Sequence, residues 1–272
     1  MRILQIAPQI PFPQSDGGKV GIFNITKQLA RLGHKVTLLA LDVHKPKDVE
    51  QLLEYCNLIR IPHSNKNSPG RAFFNLFSTI PYNISKYYSG RCEARLKEVL
   101  ANNRFDVVHV DHLHMGHYGL LCKQYTGVPI VLREHNVESV IMERYLSVTK
   151  SSILRVWLRS QLRRIRKYET QMAGRFDACC MVTKQDEKNL RSLQPSARTW
   201  VIPAGVEERY FESPPGREKI PNSVALVGDF QWRPNRDALS WFVEAIFPRV
   251  LEKRPQTVLY IVGKNIPEMI KA

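Results

Sequence analysis

The chain alternates short, wholly apolar runs with stretches in which apolar residues recur every three or four positions. The apolar runs lie at 3–7, 35–41, 58–61, 107–110, 130–133, 178–182 and 199–202, and again at 223–228 and 257–262. Most are continuous and rich in β-branched residues rather than alternating. That is the pattern of parallel strands covered by helices on both faces. The 3.6-residue periodicity predicts helices over 20–32, 91–102, 115–125, 139–146, 153–172, 184–192 and 237–253. Gly33 and Gly127 sit just past two of these, where a left-handed cap is wanted. The repeated strand–helix order predicts an α/β fold, a Rossmann-like parallel sheet.

The pattern starts twice. Arg2-Ile3-Leu4-Gln5-Ile6-Ala7 leads through a Pro-rich loop into Asp16-Gly17-Gly18-Lys19 and a helix. Ser223-Val224-Ala225-Leu226-Val227-Gly228 leads through Asp229-Phe230-Gln231-Trp232-Arg233-Pro234-Asn235 into another. The segment between them is rich in Pro and charge. The expected organisation is a first domain over 1–205, a linker over 206–221 and the beginning of a second Rossmann-like domain over 222–272. One β-α-β unit cannot cover both faces of its own sheet, so the second domain is expected to be incomplete and the chain a fragment.

Composition narrows the class. An apolar share of 43% supports a folded core rather than disorder. No apolar run is long enough to span a bilayer, and the N-terminus lacks the apolar region of a signal peptide. The five cysteines are odd in number and show no Cys-x-x-Cys spacing. They point to a reducing, cytoplasmic setting without disulfides or a zinc site. The net charge of +15 attracts polyanions: nucleic acid, anionic lipid or phosphorylated substrates.

Four constellations could carry chemistry. Gly17-Gly18-Lys19 before a helix can bring backbone N–H groups to an anion, with Lys19 adding charge; the plainer reading is a surface loop capped by Asp16. At the end of the fourth strand stand His109, Asp111, His112, His114 and His117. Ligands of open parallel sheets bind at the carboxyl ends of strands. Asp111 and His112 therefore read as a polar wall, and His114 and His117 as ordinary surface residues. Metal-ligand spacing is not evident. After the fifth strand comes Arg133-Glu134-His135-Asn136-Val137-Glu138, a polar string that either engages a ligand or caps a helix through Asn136 and Ser139. In the helix over 153–172, Arg155, Arg159, Arg163 and Arg166 form a basic stripe that suits an anionic membrane surface, though a solvated charged face is the commoner case. The aromatic segment Phe73-Phe74-Asn75-Leu76-Phe77 through Tyr82, Tyr87 and Tyr88, flanked by Arg71 and Lys86, fits a lipid interface or a lid on the sheet equally well.

Taken in order and spacing, the first strand with Pro-Phe-Pro and Asp16-Gly17-Gly18, then Phe105–Asp111, Arg133–Glu138, Ile202-Pro203-Ala204-Gly205-Val206 and the Trp232-Arg233-Pro234-Asn235 turn resemble the family 4 glycosyltransferases of GT-B architecture. The resemblance covers essentially the whole chain. It implies a retaining, metal-independent transfer of a sugar from a nucleotide-sugar donor to a glycan or lipid-linked acceptor in envelope polysaccharide or glycolipid synthesis. No cofactor is implied.

The resemblance also assigns residues. His112, one position from the family's usual histidine (which would fall at Asp111), and His135 become the catalytic candidates together with Asp111. Asp16, Gly17, Gly18, Lys19, Glu134, Asn136, Glu138, Gly228, Arg233 and Asn235 become candidate substrate-binding residues. Where relatives carry an Arg and a Lys for the donor diphosphate, this chain has Asp229 and Pro234, and Arg233 is the substitute. The family's paired glutamates would lie beyond Ala272, so the chain taken alone is expected to have little activity. The basic and aromatic surfaces suggest a peripheral enzyme at the inner face of a membrane. The alternative is a basic protein that binds nucleic acid or an anionic surface without catalysis, although no helix-turn-helix, zinc finger or RNA-binding strand motif is present and no nucleic acid is expected as a partner. The glycine spacing argues against a nicotinamide dehydrogenase.

Overall fold

The apolar runs become the strands of parallel sheets. The computed structural model describes residues 1–44, 46, 48–205, 211 and 219–268. They divide into two units, Met1–Glu207 and Glu208–Ala272. Most of the linker expected over 206–221 lies outside the described residues. The first unit runs β1 (Arg2–Ala7), α1 (Gly17–Arg31), β2 (Lys35–Asp42), α2 (Glu50–Leu53), β3 (Asn57–Pro62), α3 (Pro69–Phe74), α4 (Tyr82–Ser85), α5 (Gly90–Asn102), β4 (Val107–Asp111), α6 (Gly116–Thr126), β5 (Ile130–Glu134), α7 (Glu138–Val148), α8 (Ser152–Arg175), β6 (Ala178–Met181), α9 (Lys184–Leu193) and β7 (Thr199–Val201). The second runs β8 (Ser223–Asp229), α10 (Arg233–Trp241), α11 (Phe247–Lys253) and β9 (Val258–Lys264).

The seven strands of the first unit lie in the order β3-β2-β1-β4-β5-β6-β7, every pair parallel. The direction of winding reverses between β1 and β4. In sheets of this kind that switch point opens a crevice at the carboxyl ends of the strands.

Period-two alternation sends Leu4, Ile6, Val108, Val110 and Leu132 to one side, where they pack with Ile165, Met172 and Phe176 from α8 and its C-terminal end. A second cluster joins Leu38 and Ala40 to Ile22 and Phe23 of α1. Each fully buried aliphatic or aromatic side chain contributes about 1.5–3 kcal/mol. Both predicted cap glycines take positive φ, 82° at Gly33 and 67° at Gly127.

Three departures from the sequence expectation have physical causes. Helix α1 starts at Gly17 rather than Val20, because Asp16 caps it by accepting from the Lys19 N–H at 2.9 Å. The glycine pair is thus the first helical turn, not a loop. The aromatic segment folds into the short helices α3 and α4 around a turn at Asn75–Phe77. The predicted helix over 237–253 is present but starts earlier, at Arg233, and runs through a π-helical turn, Phe242–Ile246, just before Pro248, which has no N–H to give a regular helix.

The basic stripe of α8 is only partly available to a surface. Arg155 donates to the carbonyls of Leu146 and Thr149, closing α7, and Arg166 pairs with Glu143 at 2.9 Å. Arg159 and Arg163 remain exposed. Among the described residues no helix is long and apolar enough to cross a membrane. The second unit is a parallel pair, β8 with β9. Gly263 is required there: a Cβ at that position would stand 1.8 Å from the Gly228 carbonyl oxygen.

Candidate functional site

Strand register builds the site. Gln5 lies opposite His109, and Asp111 opposite Arg133. Alternation along β4 puts His109 and Asp111 on the same face, so a row of polar side chains crosses an otherwise apolar sheet at the switch point. The row converges on Asp111. The Thr26 hydroxyl of α1 donates to Gln5 Oε1 at 2.7 Å, and Gln5 Nε2 donates to Asp111 Oδ2 at 2.7 Å. Arg133 Nη1 donates to Asp111 Oδ1 at 3.4 Å and to His135 Nε2 at 2.8 Å. His109 Nε2 lies 3.5 Å from Asp111 Oδ1.

Asp111 is fully buried beneath this network. It is therefore a counter-ion that positions its neighbours and does not form an open polar wall. Burial alone would raise its carboxyl. The attraction of and hydrogen bond from His109, with His135 and the Arg133 guanidinium, hold it well below the usual carboxylate range. Because Arg133 is always a donor, His135 Nε2 stands on the accepting side of that contact. The His112 ring stacks on His135, with centroids 3.9 Å apart and planes 14° apart. Burial, then the neighbouring His135, push His112 well below the ordinary histidine value, so it is neutral at neutral pH. Its backbone is strained, with φ 67° and ψ 141°, and is held by His112 N–H donating to the Arg133 carbonyl at 2.9 Å.

The start of α1 faces these rings. A Cβ on Gly18 would lie 3.7 Å from His112 Nε2, and one on Gly21 would lie 3.0 Å from His135 Cε1 and 3.3 Å from Arg133 Nη1. Glycine at 21 thus keeps the helix close to His135 and Arg133, whereas a side chain at 18 would meet His112 only in ordinary van der Waals contact. Lys19 is buried and turned back onto its own loop, donating to Ser15 Oγ at 3.0 Å with Asp16 at 3.6 Å. An Asp111 oxygen and one nitrogen each of His112 and His135 lie within 4.8 Å of one another, close enough for a cation. Arg133 already supplies positive charge inside that cluster.

The remaining candidates fall elsewhere. Glu134 points to the opposite face of the sheet, buried, with both carboxyl oxygens unpartnered. Burial, then Glu169 and Glu138, push it well above the usual carboxylate range. Asn136 is exposed and caps nothing. The cap of α7 comes instead from the Glu169 carboxylate of α8, which accepts from the Glu138 N–H at 2.7 Å and from Ser139. Nor are His114 and His117 ordinary surface residues. His117 stacks on Tyr88 at 3.7 Å and His114 packs on Tyr87 at 4.8 Å. Burial lowers them to about 3 and about 4 respectively. In the second unit, Asn235 donates to the Asp229 carbonyl at 3.0 Å beside Gly228, and Arg233 opens α10.

The carboxyl group around α7 gives a testable pH dependence. Burial pushes Glu138 and Glu169 up to about 7, opposed by His135 and by the Ser139 hydrogen bond respectively. Raised folded values mean that the native state holds protons that the unfolded chain has released. Their contribution to stability is therefore greatest below the ordinary glutamate value and is lost as pH rises towards 7, by up to about 1.4 kcal/mol per pH unit for each group. The lowered His112, His114 and His117 act in the opposite sense below the ordinary histidine value, so the glutamates are read from a difference between proteins. Between about pH 5 and pH 7 the urea midpoint of Glu134→Gln should rise relative to wild type, and a difference that does not change with pH would contradict the burial of this cluster.

With the geometry in place, three comparisons are informative. The family model for Glycosyltransferase Family 4 matches residues 15–210. An uncharacterized 44.6 kDa protein in the cps region of Klebsiella pneumoniae is 20% identical over 268 residues, which is 96% of this chain and 64% of that protein. This chain thus spans under two thirds of that curated relative's length. Among solved structures, sucrose-phosphate synthase from Thermosynechococcus elongatus superposes with a TM-score of 0.62 at 14% identity, covering 97% of this chain and 71% of that one. Anabaena HepE in complex with UDP gives 0.53 at 14% identity, covering 97% and 70%. Phytolacca americana UGT2 complexed with UDP-2fluoro-glucose and pterostilbene gives 0.52 at 13% identity, covering 97% and 71%. At these identities the likeness establishes the fold, which is that of the GT-B enzymes.

Proposed function

The chain belongs to glycosyltransferase family 4, and we propose that the protein transfers a hexosyl group from a nucleotide-sugar donor to a glycan or lipid-linked acceptor, with retention of anomeric configuration. The observation that carries this reading is the switch-point cluster: neutral His112 stacked on His135 beside the first turn of α1, over a buried Asp111–Arg133 pair. Such a site supplies neutral hydrogen-bond donors and acceptors at fixed positions and no strong base. It suits a reaction driven by positioning and by stabilising charge on a leaving phosphate. The UDP and UDP-sugar named with HepE and UGT2 support a uridine nucleotide as donor. The cps region of the Klebsiella relative supports an envelope polysaccharide as product. Arg233, at the start of α10, is our candidate for the donor phosphates.

Transfer needs no metal on this reading, because the Arg133 guanidinium already brings a positive charge to Asp111 and His135, two of the three residues that could hold a cation. The test is to incubate the whole protein with UDP-sugars and a lipid-phosphate acceptor and follow UDP release and product anomer by NMR. Turnover with retention, unchanged by EDTA, is expected. Abolition by EDTA with restoration by a divalent ion would overturn the metal-free reading. Release of no nucleotide with any donor would overturn the transferase reading. The 272 residues alone should turn over slowly or not at all. In their second unit Val227 is 73% exposed and Val262 52%, so the described residues leave that sheet largely uncovered.

A further inference from the structure

A cavity of about 600 Å³ opens beside the carboxyl end of β3, lined by Arg71, Lys86, Arg91, Ser64, Ser89 and Tyr88 among others. No Asp or Glu lines it. Arg71 and Arg91 are exposed and have no carboxylate partner among the described residues. Lys86 is partly desolvated, which lowers its pKa, and donates to Asn67 at 3.1 Å. The backbone around the cavity is fixed from below. Tyr118 Oη accepts from the Ser89 N–H at 2.9 Å, Tyr82 Oη accepts from the Ser68 N–H at 2.9 Å, and His63 Nε2 lies 2.7 Å from the Lys86 carbonyl. Three uncompensated cations around a rigid wall of hydroxyls are the chemistry of a phosphate site.

Beside it stands an apolar ridge. Phe73, Phe74 and Phe77 are 60%, 74% and 82% exposed, with Leu76 at 42%, and their rings touch one another at 5.8 and 6.2 Å. The backbone that carries them is nevertheless pinned. Buried Gln161 donates to Asn75 Oδ1 at 3.1 Å, and Arg164 donates to the carbonyls of Asn75 and Leu76. Four large apolar side chains held out on a fixed turn add nothing to the core and mark a contact surface. Rings also lie between cavity and cluster: Tyr88 lines the cavity and stacks on His117, and its chain neighbour Tyr87 packs on His114, which lies 6.3 Å from the His112 ring.

We propose that this cavity binds the phosphate ester of a membrane amphiphile, with Arg71, Lys86 and Arg91 on the phosphate and the Phe73–Phe74–Phe77 ridge in the hydrocarbon. The inference deepens the acceptor reading above and rests on it for its place in the reaction, but binding is tested without transfer. Flotation of the full chain with phosphatidylcholine vesicles, with and without phosphatidic acid, reads it directly. Phosphatidic acid should be required for binding. Arg71→Ala with Arg91→Ala should weaken partitioning about fivefold per charge. Arg159→Ala with Arg163→Ala, the same charge change on α8, should weaken it much less. Phe73→Ala with Phe77→Ala, which lie outside the cavity lining, should weaken vesicle binding and leave affinity for glycerol 3-phosphate unchanged.

All these side chains are exposed, so the variants should unfold at the wild-type temperature. Equal losses from the two arginine pairs would mean diffuse attraction and overturn the site. Tight glycerol 3-phosphate binding without vesicle binding would overturn the amphiphile. Vesicle binding that survives in a protein releasing no nucleotide would sink the transferase reading and leave this one standing.

Discussion

Asp111→Ala is expected to destabilise the first unit by about 3–5 kcal/mol, the range for breaking a buried ion pair from one side. The carboxylate is fully buried and accepts from Gln5 and Arg133. Its loss strands the Arg133 guanidinium, whose Nε is already buried without a partner, and leaves the Gln5 amide with an unsatisfied donor. The charge left behind accounts for most of the loss, so removing it should help. Asp111→Ala combined with Arg133→Met should be more stable than the sum of the single losses predicts, because an apolar replacement of a buried pair is often neutral. Urea unfolding of the four proteins at neutral pH checks this. Strictly additive losses would mean that the two side chains do not interact and that the site is not organised around this pair.

Most of the fold was legible because parallel strands buried on both faces leave an unambiguous signature, and each strand of the first unit coincides with an apolar run to within a residue or two. What was missed is short or depends on distant partners. Helices α2, α3 and α4 have 4 to 6 residues each, too few for periodicity to show. Their stability comes from tertiary ties such as Gln161 to Asn75. The helix expected over 237–253 is continuous, and its π-helical turn has a visible signal in Pro248, which cannot supply the N–H that a regular helix needs there.

The site was half legible. Asp111, His112 and His135 were named from position at strand ends, and the sheet brings them within a few ångströms of one another. Their roles were not legible, because depth in the crevice depends on strand register. Asp111 was expected at a wall and lies beneath it. Arg133 appeared only as one member of a polar string. Gln5 carried the signal that was overlooked. A glutamine in Ile3-Leu4-Gln5-Ile6-Ala7 cannot be buried without a partner, so polar residues must face it from a neighbouring strand and from the helix covering the sheet, as Asp111 and Thr26 do. Glu169 has no such signal, since a glutamate in a long charged helix gives no hint that it will cap another one.

His112 is the place where function and stability should separate most clearly. At φ 67° a Cβ-bearing residue is strained, typically by about 1–3 kcal/mol, and strain of this kind persists where the surroundings enforce it. Glycine relieves the strain and alanine does not. His112→Gly should therefore be about 1 kcal/mol or more above His112→Ala in stability, although both lose the stacking on His135. Both variants also lose the neutral imidazole that faces the start of α1. If that ring contributes a hydrogen bond to charge developing on the donor, transfer by the whole protein should fall about a hundredfold or more in each. Thermal unfolding and UDP release, compared across wild type, His112→Gly and His112→Ala, separate the two effects. Equal stability of the variants would remove the strain argument. A glycine variant that transfers sugar at the wild-type rate would take His112 out of the chemistry and leave His135 as the ring to pursue.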